Sequence, residues 1–139
     1  MKKIIGFPKP KRQPLKKWTQ RQADSLFSEY IRKSRGTCQA AGKDTVKCGG
    51  YLQCAHIITR ARSIIRYDEN NALCLCAGHH AYYTNNPYEW FEIFIPKNFF
   101  LEWMYVKRKA LIHHDRTQKE LRSRCEALHN KLATLQIKN

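Results

Sequence analysis

The spacing of apolar residues divides the first half of the chain into a helix, a loop and a strand. Residues 20–35 carry an apolar stripe at helical spacing. Thr19 precedes the stripe as a helix cap, and Gly36 follows it as a terminator. After a glycine-rich loop, residues 51–58 alternate between two faces, which is typical of a strand.

A second extended segment follows, and a helix comes directly after it. Residues 71–76 lead into a helix that is expected to start near Ala77. The arginine-rich loop 59–70 lies between the extended segments, and Ile64 and Ile65 could form a short strand within it. The order strand, loop, strand, helix predicts an α+β fold with a small ββα core.

The remaining segments are predicted to be helical. Pro87 is expected to begin a short helix that Pro96 ends, and another helix is expected over 98–112. A last helix over 116–137, capped by Asp115, carries a single apolar seam. The seam consists of Leu121, Cys125, Leu128, Leu132 and Leu135. We expect this seam to pack on the core of its own domain, with dimerisation as the alternative.

Composition adds a strong positive charge to this picture. The 139 residues suffice for one domain, and 26 lysines and arginines against 11 acids give a net charge of +15. Such an excess favours a polyanion, because each phosphate contact releases counterions. Ribosomal and membrane-surface proteins can be equally basic, so the charge indicates a class of partner and not an activity. No apolar segment approaches the roughly 18 residues of a membrane span, and no secretory signal is evident.

The basic residues are concentrated at the beginning of the chain. We expect residues 1–18 to form a flexible basic arm, residues 19–112 a nuclease domain with helical flanks, and residues 113–139 the C-terminal helix. The arm residues expected to contact DNA are Lys9, Lys11, Arg12, Lys16 and Lys17.

The run CAHIITRARSIIRYDENNALCLCAGHH, from Cys54 to His80, holds the candidate chemistry. Hydrolysis of a phosphodiester needs an activated water and neutralisation of charge at the phosphate. His56 could take a proton from water, since the pKa of histidine lies near neutrality. His80 could bind a divalent cation, and Asn71 could hold the His56 imidazole or ligate the cation itself. One histidine alone would indicate a hydrogen-bonded strand residue, but the three positions together favour a site.

The segment from about residue 26 to 87 resembles the phage-type HNH endonucleases of the ββα-metal class. The likeness lies in LQxAHIxxR, then RxDxxNAxxLC, then a Cys/His pair followed by His, while LFSEYIRKSRGTCQAAGK is similar to NinG-like phage recombination proteins. The resemblance implies cleavage of DNA with one catalytic divalent cation such as Mg²⁺ or Mn²⁺. It makes His56 the general base, Asn71 the motif asparagine and His80 a ligand of that cation.

Arginines surround the loop between the extended segments. Arg60, Arg62 and Arg66 are expected to contact the DNA backbone, because they lie beside a candidate phosphodiesterase site. The resemblance implies the same for Arg60 and Arg66. One position departs from the pattern, since many relatives carry Asp or His as a metal ligand where this chain has Ala55. Asp68 could supply the missing ligand, or it could cap the turn that precedes Asn71.

Six cysteines without a secretory signal indicate a reducing compartment, and therefore metal binding or free thiols. Many nucleases of this kind brace the small ββα unit with a tetrahedral zinc, because so short an element has little core of its own. The expected ligands of this structural zinc are Cys38, Cys48, Cys76 and His79, with Cys54 and Cys74 as competitors. Cys125 lies in the helical seam and is expected to pack.

Together these patterns predict a metal-dependent HNH endonuclease acting on DNA in the cytoplasm of a phage-infected bacterial cell. It could act as a monomer or a homodimer, and a phage terminase or recombination protein could be its partner. The alternative is a non-catalytic, zinc-braced DNA-binding accessory protein. The departure at Ala55 keeps this alternative open.

Overall fold

A two-stranded antiparallel sheet lies at the centre of the fold. The computed structural model describes residues 17–138. Strand β1 (Leu52–His56) pairs with β2 (Ala72–Cys76), and Cys54 faces Cys74 at the middle of the register. The predicted α+β class and the order strand, loop, strand, helix are confirmed, since helix α2 (Ala77–Asn85) follows β2 directly.

The loop between the strands contains two short 3-10 turns, Ser63–Ile65 and Glu69–Asn71. The prediction that Ile64 and Ile65 form a short strand is wrong, because they lie in the first of these turns. The backbone folds back on itself there, because the amide of Arg66 donates to the carbonyl of Ser63 at 3.3 Å. The second strand of the sheet is β2 instead.

Helices α1 (Gln20–Arg35) and α5 (Gln118–Lys138) cover one face of the sheet. Thr19 caps α1 through a reciprocal capping box, and Gly36 ends it in the left-handed conformation with φ of +74°. Both boundaries were predicted from these residues. The side chains that α1 buries are Ala23, Phe27 and Ile31.

The apolar seam of α5 packs against α1 of the same chain. Seam residues in this shared cluster are Leu121, Cys125 and Leu128. The helix begins at Gln118 because Thr117 and Glu120 cap it: the Glu120 amide donates to Thr117 Oγ1 at 3.2 Å, and the Thr117 amide donates to the Glu120 carboxylate at 2.9 Å. The prediction that Asp115 caps this helix is wrong, since Asp115 is exposed and faces His113.

The other face of the sheet is covered by α2 and by the segment that follows it. This segment comprises a π-helical stretch (Glu89–Phe94), α3 (Ile95–Asn98) and α4 (Phe100–Lys109). Pro96 lies in the first turn of α3, where no amide donor is needed, so the expectation that it ends a helix is wrong. The main aromatic side chains of this layer are Tyr83, Trp90, Phe94 and Phe99. None of the helices between residues 17 and 138 has the length and apolarity that crossing a membrane would require.

Candidate metal centre and catalytic cleft

Cys38, Cys48, Cys76 and His79 meet where β2 ends and α2 begins. One donor atom from each lies within 4.8 Å of the others, and His79 is fully buried. The loop before β1 supplies Cys38 and Cys48, while Cys76 caps α2. We call this group the Cys3His cluster. The structure therefore brings together the four residues expected to bind zinc.

The distances within the Cys3His cluster suit a tetrahedral metal. Nδ1 of His79 lies 3.1 Å from Sγ of Cys76 and 3.6 Å from Sγ of both Cys38 and Cys48. Zinc with Zn–S bonds of about 2.3 Å and a Zn–N bond of about 2.05 Å places sulfur and nitrogen about 3.6 Å apart. The cluster could thus hold a structural metal such as zinc.

The polypeptide around Cys76 favours a thiolate. The amides of Gly49 and His79 both donate to its Sγ at 3.4 Å. Burial alone would raise the pKa of Cys76, but these hydrogen bonds lower it to about 6. A thiolate is the form that ligates a metal.

Asp44 fixes the orientation of His79, and the sequence analysis did not identify it. Nε2 of His79 donates to Oδ1 of Asp44 at 2.9 Å, which leaves Nδ1 to face the sulfurs. The Tyr83 hydroxyl donates to the other carboxylate oxygen. Burial opposes ionisation of Asp44, yet these hydrogen bonds keep its pKa below the ordinary value. A carboxylate that accepts a hydrogen bond from a histidine ligand is a common support of zinc sites. The sequence feature that could have identified Asp44 is therefore an acid in the loop between Cys38 and Cys48.

The competing cysteines lie apart from the cluster. Cys54 and Cys74 face each other across the sheet, on the side covered by α1. Burial raises the pKa of Cys54 to about 12 and also raises that of Cys74. Cys125 is buried in the α5 seam, as expected. These thiols behave as small apolar residues.

A cleft with two lobes is lined by His80, in the first turn of α2. Each lobe has a volume of about 360 Å³, and both lobes are lined by His56, Thr59 and His80. The apolar lobe is completed mainly by Tyr83, Pro87, Trp90 and Phe91. The polar lobe is completed mainly by Asp24, Ser28 and Arg60. The two histidines expected to carry the chemistry therefore share one cavity.

His56 is held in a defined tautomer. Its Nε2 lies 2.9 Å from the carbonyl oxygen of Arg66, and because a carbonyl can only accept, Nε2 carries the proton. Among residues 17–138, Nδ1 of His56 has no hydrogen-bond partner. Burial lowers the pKa of His56 below its ordinary value. The neutral imidazole thus presents a basic nitrogen.

His80 is held in the same way by a side chain. Its Nδ1 donates to Oε1 of Gln53 at 2.6 Å, and Nε2 has no partner within the described part of the chain. Burial lowers the pKa of His80, which favours the neutral, ligating form. Gln53 is a residue that the sequence analysis missed as part of a site. The alternation of β1 placed it on the face opposite His56, where α2 packs.

Among residues 17–138, the Asn71 side chain makes no hydrogen bond to the His56 imidazole, so the expectation that it holds this ring is wrong. It is fully buried, its Nδ2 donates to the carbonyls of Ile58 and Ile65 at 2.9 and 3.1 Å, and its Oδ1 accepts from the Ile58 amide at 2.8 Å. These bonds tie the loop after β1 to the start of β2. The expectation that Asn71 ligates the catalytic cation stays a prediction, and its Oδ1 already accepts a hydrogen bond from the backbone.

The loop arginines are placed differently from one another. Arg66 forms a two-pronged ion pair with Asp24 at 2.7 and 2.5 Å, and its side chain is 16% exposed. The expectation that Arg66 contacts DNA stays a prediction, and its guanidinium is already paired with Asp24. Arg60 also lies 3.7 Å from Asp24, but its side chain is 56% exposed beside the polar lobe. Arg62 is exposed further along the loop. Lys17 is exposed as well. Lys9, Lys11, Arg12 and Lys16 lie outside the described residues.

Among residues 17–138, no acid joins His80 in a group of three or more potential metal ligands. Ala55 is buried in the core beneath the sheet. Asp68 caps its turn by accepting from the Asn70 amide at 3.0 Å, and it pairs with Lys109 at 2.7 Å. The capping role is therefore the one that the structure supports. Within residues 17–138, the Cys3His cluster is the only group of three or more potential metal ligands.

Comparisons of this chain with protein-family models, with curated proteins and with solved structures found no match. A functional conclusion therefore depends on the cleft, the Cys3His cluster and the charge of the chain.

Proposed function

We propose that the chain is a metal-dependent endonuclease of the HNH type that hydrolyses DNA phosphodiester bonds. The observation that carries this proposal is the pairing of His56 and His80 in one cleft. Each imidazole uses one ring nitrogen to donate to an oxygen acceptor, and each presents the other nitrogen without a partner among the described residues. One nitrogen can then act as a base while the other binds a cation.

In the proposed mechanism His56 generates the nucleophile. Its Nδ1 takes a proton from water, and the resulting hydroxide attacks phosphorus. The bond to the 3′ oxygen breaks, that oxygen takes a proton from solvent water to become a hydroxyl, and the other product carries a 5′-phosphate. The carbonyl of Arg66 holds the ring and stabilises the imidazolium that forms. Because burial keeps His56 neutral, the base is available at neutral pH.

His80 would contribute its Nε2 to the catalytic cation, with Gln53 fixing the ring. A divalent cation bound there would supply neutralisation of the phosphate and stabilisation of the leaving oxygen. Arg60, exposed at the polar lobe, lies where it could contact a backbone phosphate. The proposal also assigns a zinc to the Cys3His cluster, as a brace for the sheet and α2.

Cleavage of a supercoiled plasmid tests the proposal. We expect the wild-type protein to convert it to open circle with magnesium or manganese, and we expect His56→Ala and His80→Ala to lose about 10²–10⁴-fold in rate. His113→Ala is the matched control, because that histidine is 89% exposed and lies outside the cleft. The ratio of nicked to linear product reports whether one subunit or two act together. Absence of cleavage with every cation tested would refute the nuclease.

A non-catalytic, zinc-braced DNA-binding protein is the second candidate. It is favoured by the buried Ala55 and by the engagement of Asp68 with Lys109, which leave His80 without a companion ligand from those two positions. This candidate predicts tight DNA binding, stoichiometric zinc and no turnover. DNA binding by the wild-type protein with no cleavage under any metal would establish it over the nuclease.

A further inference from the structure

A larger groove lies on the other side of the loop that carries Arg60. Its volume is about 770 Å³, and it runs between the end of α4 and the first turns of α5. A smaller cavity of about 190 Å³ adjoins it and shares four of its lining residues. We call the two together the basic groove; its charged or ionisable residues are Lys109, His114, Arg116, Lys119 and Arg124, with the acids Asp68, Glu69 and Glu120.

Positive charge in the basic groove exceeds what its acids neutralise. Each acid already has a partner: Asp68 pairs with Lys109 at 2.7 Å, Glu120 faces His114 at 3.3 Å, and Glu69 pairs with Lys131 at 3.3 Å. By contrast, none of the ion pairs found between residues 17 and 138 involves Arg116, Lys119 or Arg124. Three cations thus line one concave surface with no carboxylate of the described residues within ion-pair distance, which is an arrangement that an anion stabilises.

Arg116 is fixed in the groove by groups that leave its charge intact. It donates through Nη2 to the carbonyl of Ser63, and its guanidinium lies 4.6 Å from the centre of the Tyr67 ring. Its Nε is buried and has no hydrogen-bond partner in the described part of the chain. A guanidinium held in place by a carbonyl and a ring is preorganised for a phosphate, since little side-chain freedom remains to be lost on binding.

The groove and the cleft are joined by one short loop. Thr59 and Arg60 line the cleft, whereas Ile64 and Tyr67, a few residues later, line the groove. A polyanion that reaches across this loop can therefore touch both surfaces. A small anion is too short to contact both surfaces at once.

We propose that the basic groove binds the phosphate backbone of duplex DNA and holds the substrate beside the cleft. The proposal rests on the proposed function for the identity of the substrate, while the charge and shape of the groove are independent of it. Phosphate contacts of this kind position a duplex without reading its sequence.

Two double variants of equal charge test the proposal. Lys119→Gln/Arg124→Gln removes two groove cations that make no ion pair in the described residues, and Lys97→Gln/Lys138→Gln removes two exposed lysines that do not line the groove. Binding of a labelled duplex is measured by fluorescence anisotropy over a range of salt, without added divalent cation. We expect only the groove variant to weaken binding and to lower the salt slope, by about 0.9 for each lost contact and so by about 1.8 in all.

The outcomes separate the groove from the nuclease. Equal loss in both double variants, or an unchanged slope in the groove variant, overturns the groove proposal and assigns binding to diffuse charge. Displacement of the duplex by inorganic phosphate at equal phosphate concentration overturns it in favour of a small-anion site. If the wild type never cleaves DNA but the groove variant alone loses binding, the groove proposal stands and the nuclease proposal fails. If cleavage occurs and the groove is right, the groove variant raises KM and leaves kcat unchanged.

Discussion

The Cys3His cluster and the cleft are built from adjacent residues of α2, yet they differ in how complete they are. At the cluster, four donor atoms from the chain lie within 4.8 Å of one another, and Asp44 holds His79 from behind. At the cleft, the proposed cation ligand from the described residues is one imidazole, that of His80, held by Gln53. The first arrangement can hold a metal before any substrate arrives. In the proposed function, the second would need water and a phosphate to complete the coordination of a cation.

Helix geometry explains why two neighbouring histidines serve different sites. Successive residues of an α-helix project about 100° apart, so His79 and His80 cannot face the same side. His79 points into the buried cluster, where it is fully inaccessible, and His80 lies half-buried on the cleft. A metal that is complete within the chain contributes to folding, whereas one completed by substrate contributes to turnover. The predictions below test that division.

The largest effect is expected from removing one donor of the cluster. Cys76→Ser takes away the thiolate that receives two amide hydrogen bonds. Because structural zinc contributes about 10–16 kcal/mol in small metal-braced domains, against a total stability of about 5–15 kcal/mol, the variant should lose its metal and unfold. Metal content by mass spectrometry and circular dichroism check this. Cys54→Ser, outside the cluster, should keep one metal per chain; metal retained in Cys76→Ser would exclude this ligand set.

The same experiment applied to the next histidine should give the opposite result. His80→Ala is expected to keep its zinc and its fold while losing cleavage, because its imidazole supports only the cleft. Circular dichroism, metal content and plasmid cleavage are measured on one preparation. Loss of zinc in His80→Ala would show that the two sites are not independent.

A smaller loss of stability is expected at Asn71. Asn71→Ala leaves the amide and carbonyl of Ile58 and the carbonyl of Ile65 without their side-chain partner in a buried setting. Buried polar groups without partners cost about 1–3 kcal/mol each, and partial relaxation leaves an expected loss of about 3 kcal/mol. Urea denaturation measures it. Asn70→Ala is the matched control, since Asn70 is exposed and should stay within about 0.5 kcal/mol; equal effects in both variants would contradict the role assigned to Asn71.

These sites also show what could be read from the sequence and what could not. The ends of α1 and the Cys-x-x-His pair of Cys76 and His79 depend on near neighbours, so spacing and residue type predicted them. The role of Asn71 depends on Ile58, and that of Arg66 on Asp24, which lies 42 residues away. No local pattern reports such pairs. The turn at Ser63–Ile65 could not be predicted for a similar reason. Isoleucines are typical of strands, and the burial of Ile65 that favours a turn depends on residues distant in the sequence.

A finer contrast is expected from the groups that support the two histidines. Asp44→Asn should weaken zinc binding about 10–100-fold, as loss of a supporting carboxylate does elsewhere. Competition with a chelator measures this, and Asp115→Asn, which changes an exposed aspartate, is the control.

Gln53→Ala should leave zinc binding unchanged and raise the magnesium or manganese concentration for half-maximal cleavage, also about 10–100-fold. If each variant altered both metals equally, the independence of the sites would be disproved.

The smallest expected effect is a shift in the pH dependence of cleavage. Burial lowers the pKa of His56, and the positive charge of Arg60 lowers it further, while Asp24 raises it. The base acts in its neutral form, so activity should persist below pH 6.5, the ordinary pKa of histidine, and fall as pH drops through the lowered pKa.

Arg60→Gln removes a positive charge that favours the neutral form of His56. The acid limb of kcat/KM should therefore move to higher pH, whatever the variant does to the maximal rate. Arg62→Gln, an exposed arginine in the same loop, should leave the limb in place. An acid limb that stays fixed in Arg60→Gln, or that moves equally in both variants, would mean that the group titrating in the cleft is not His56.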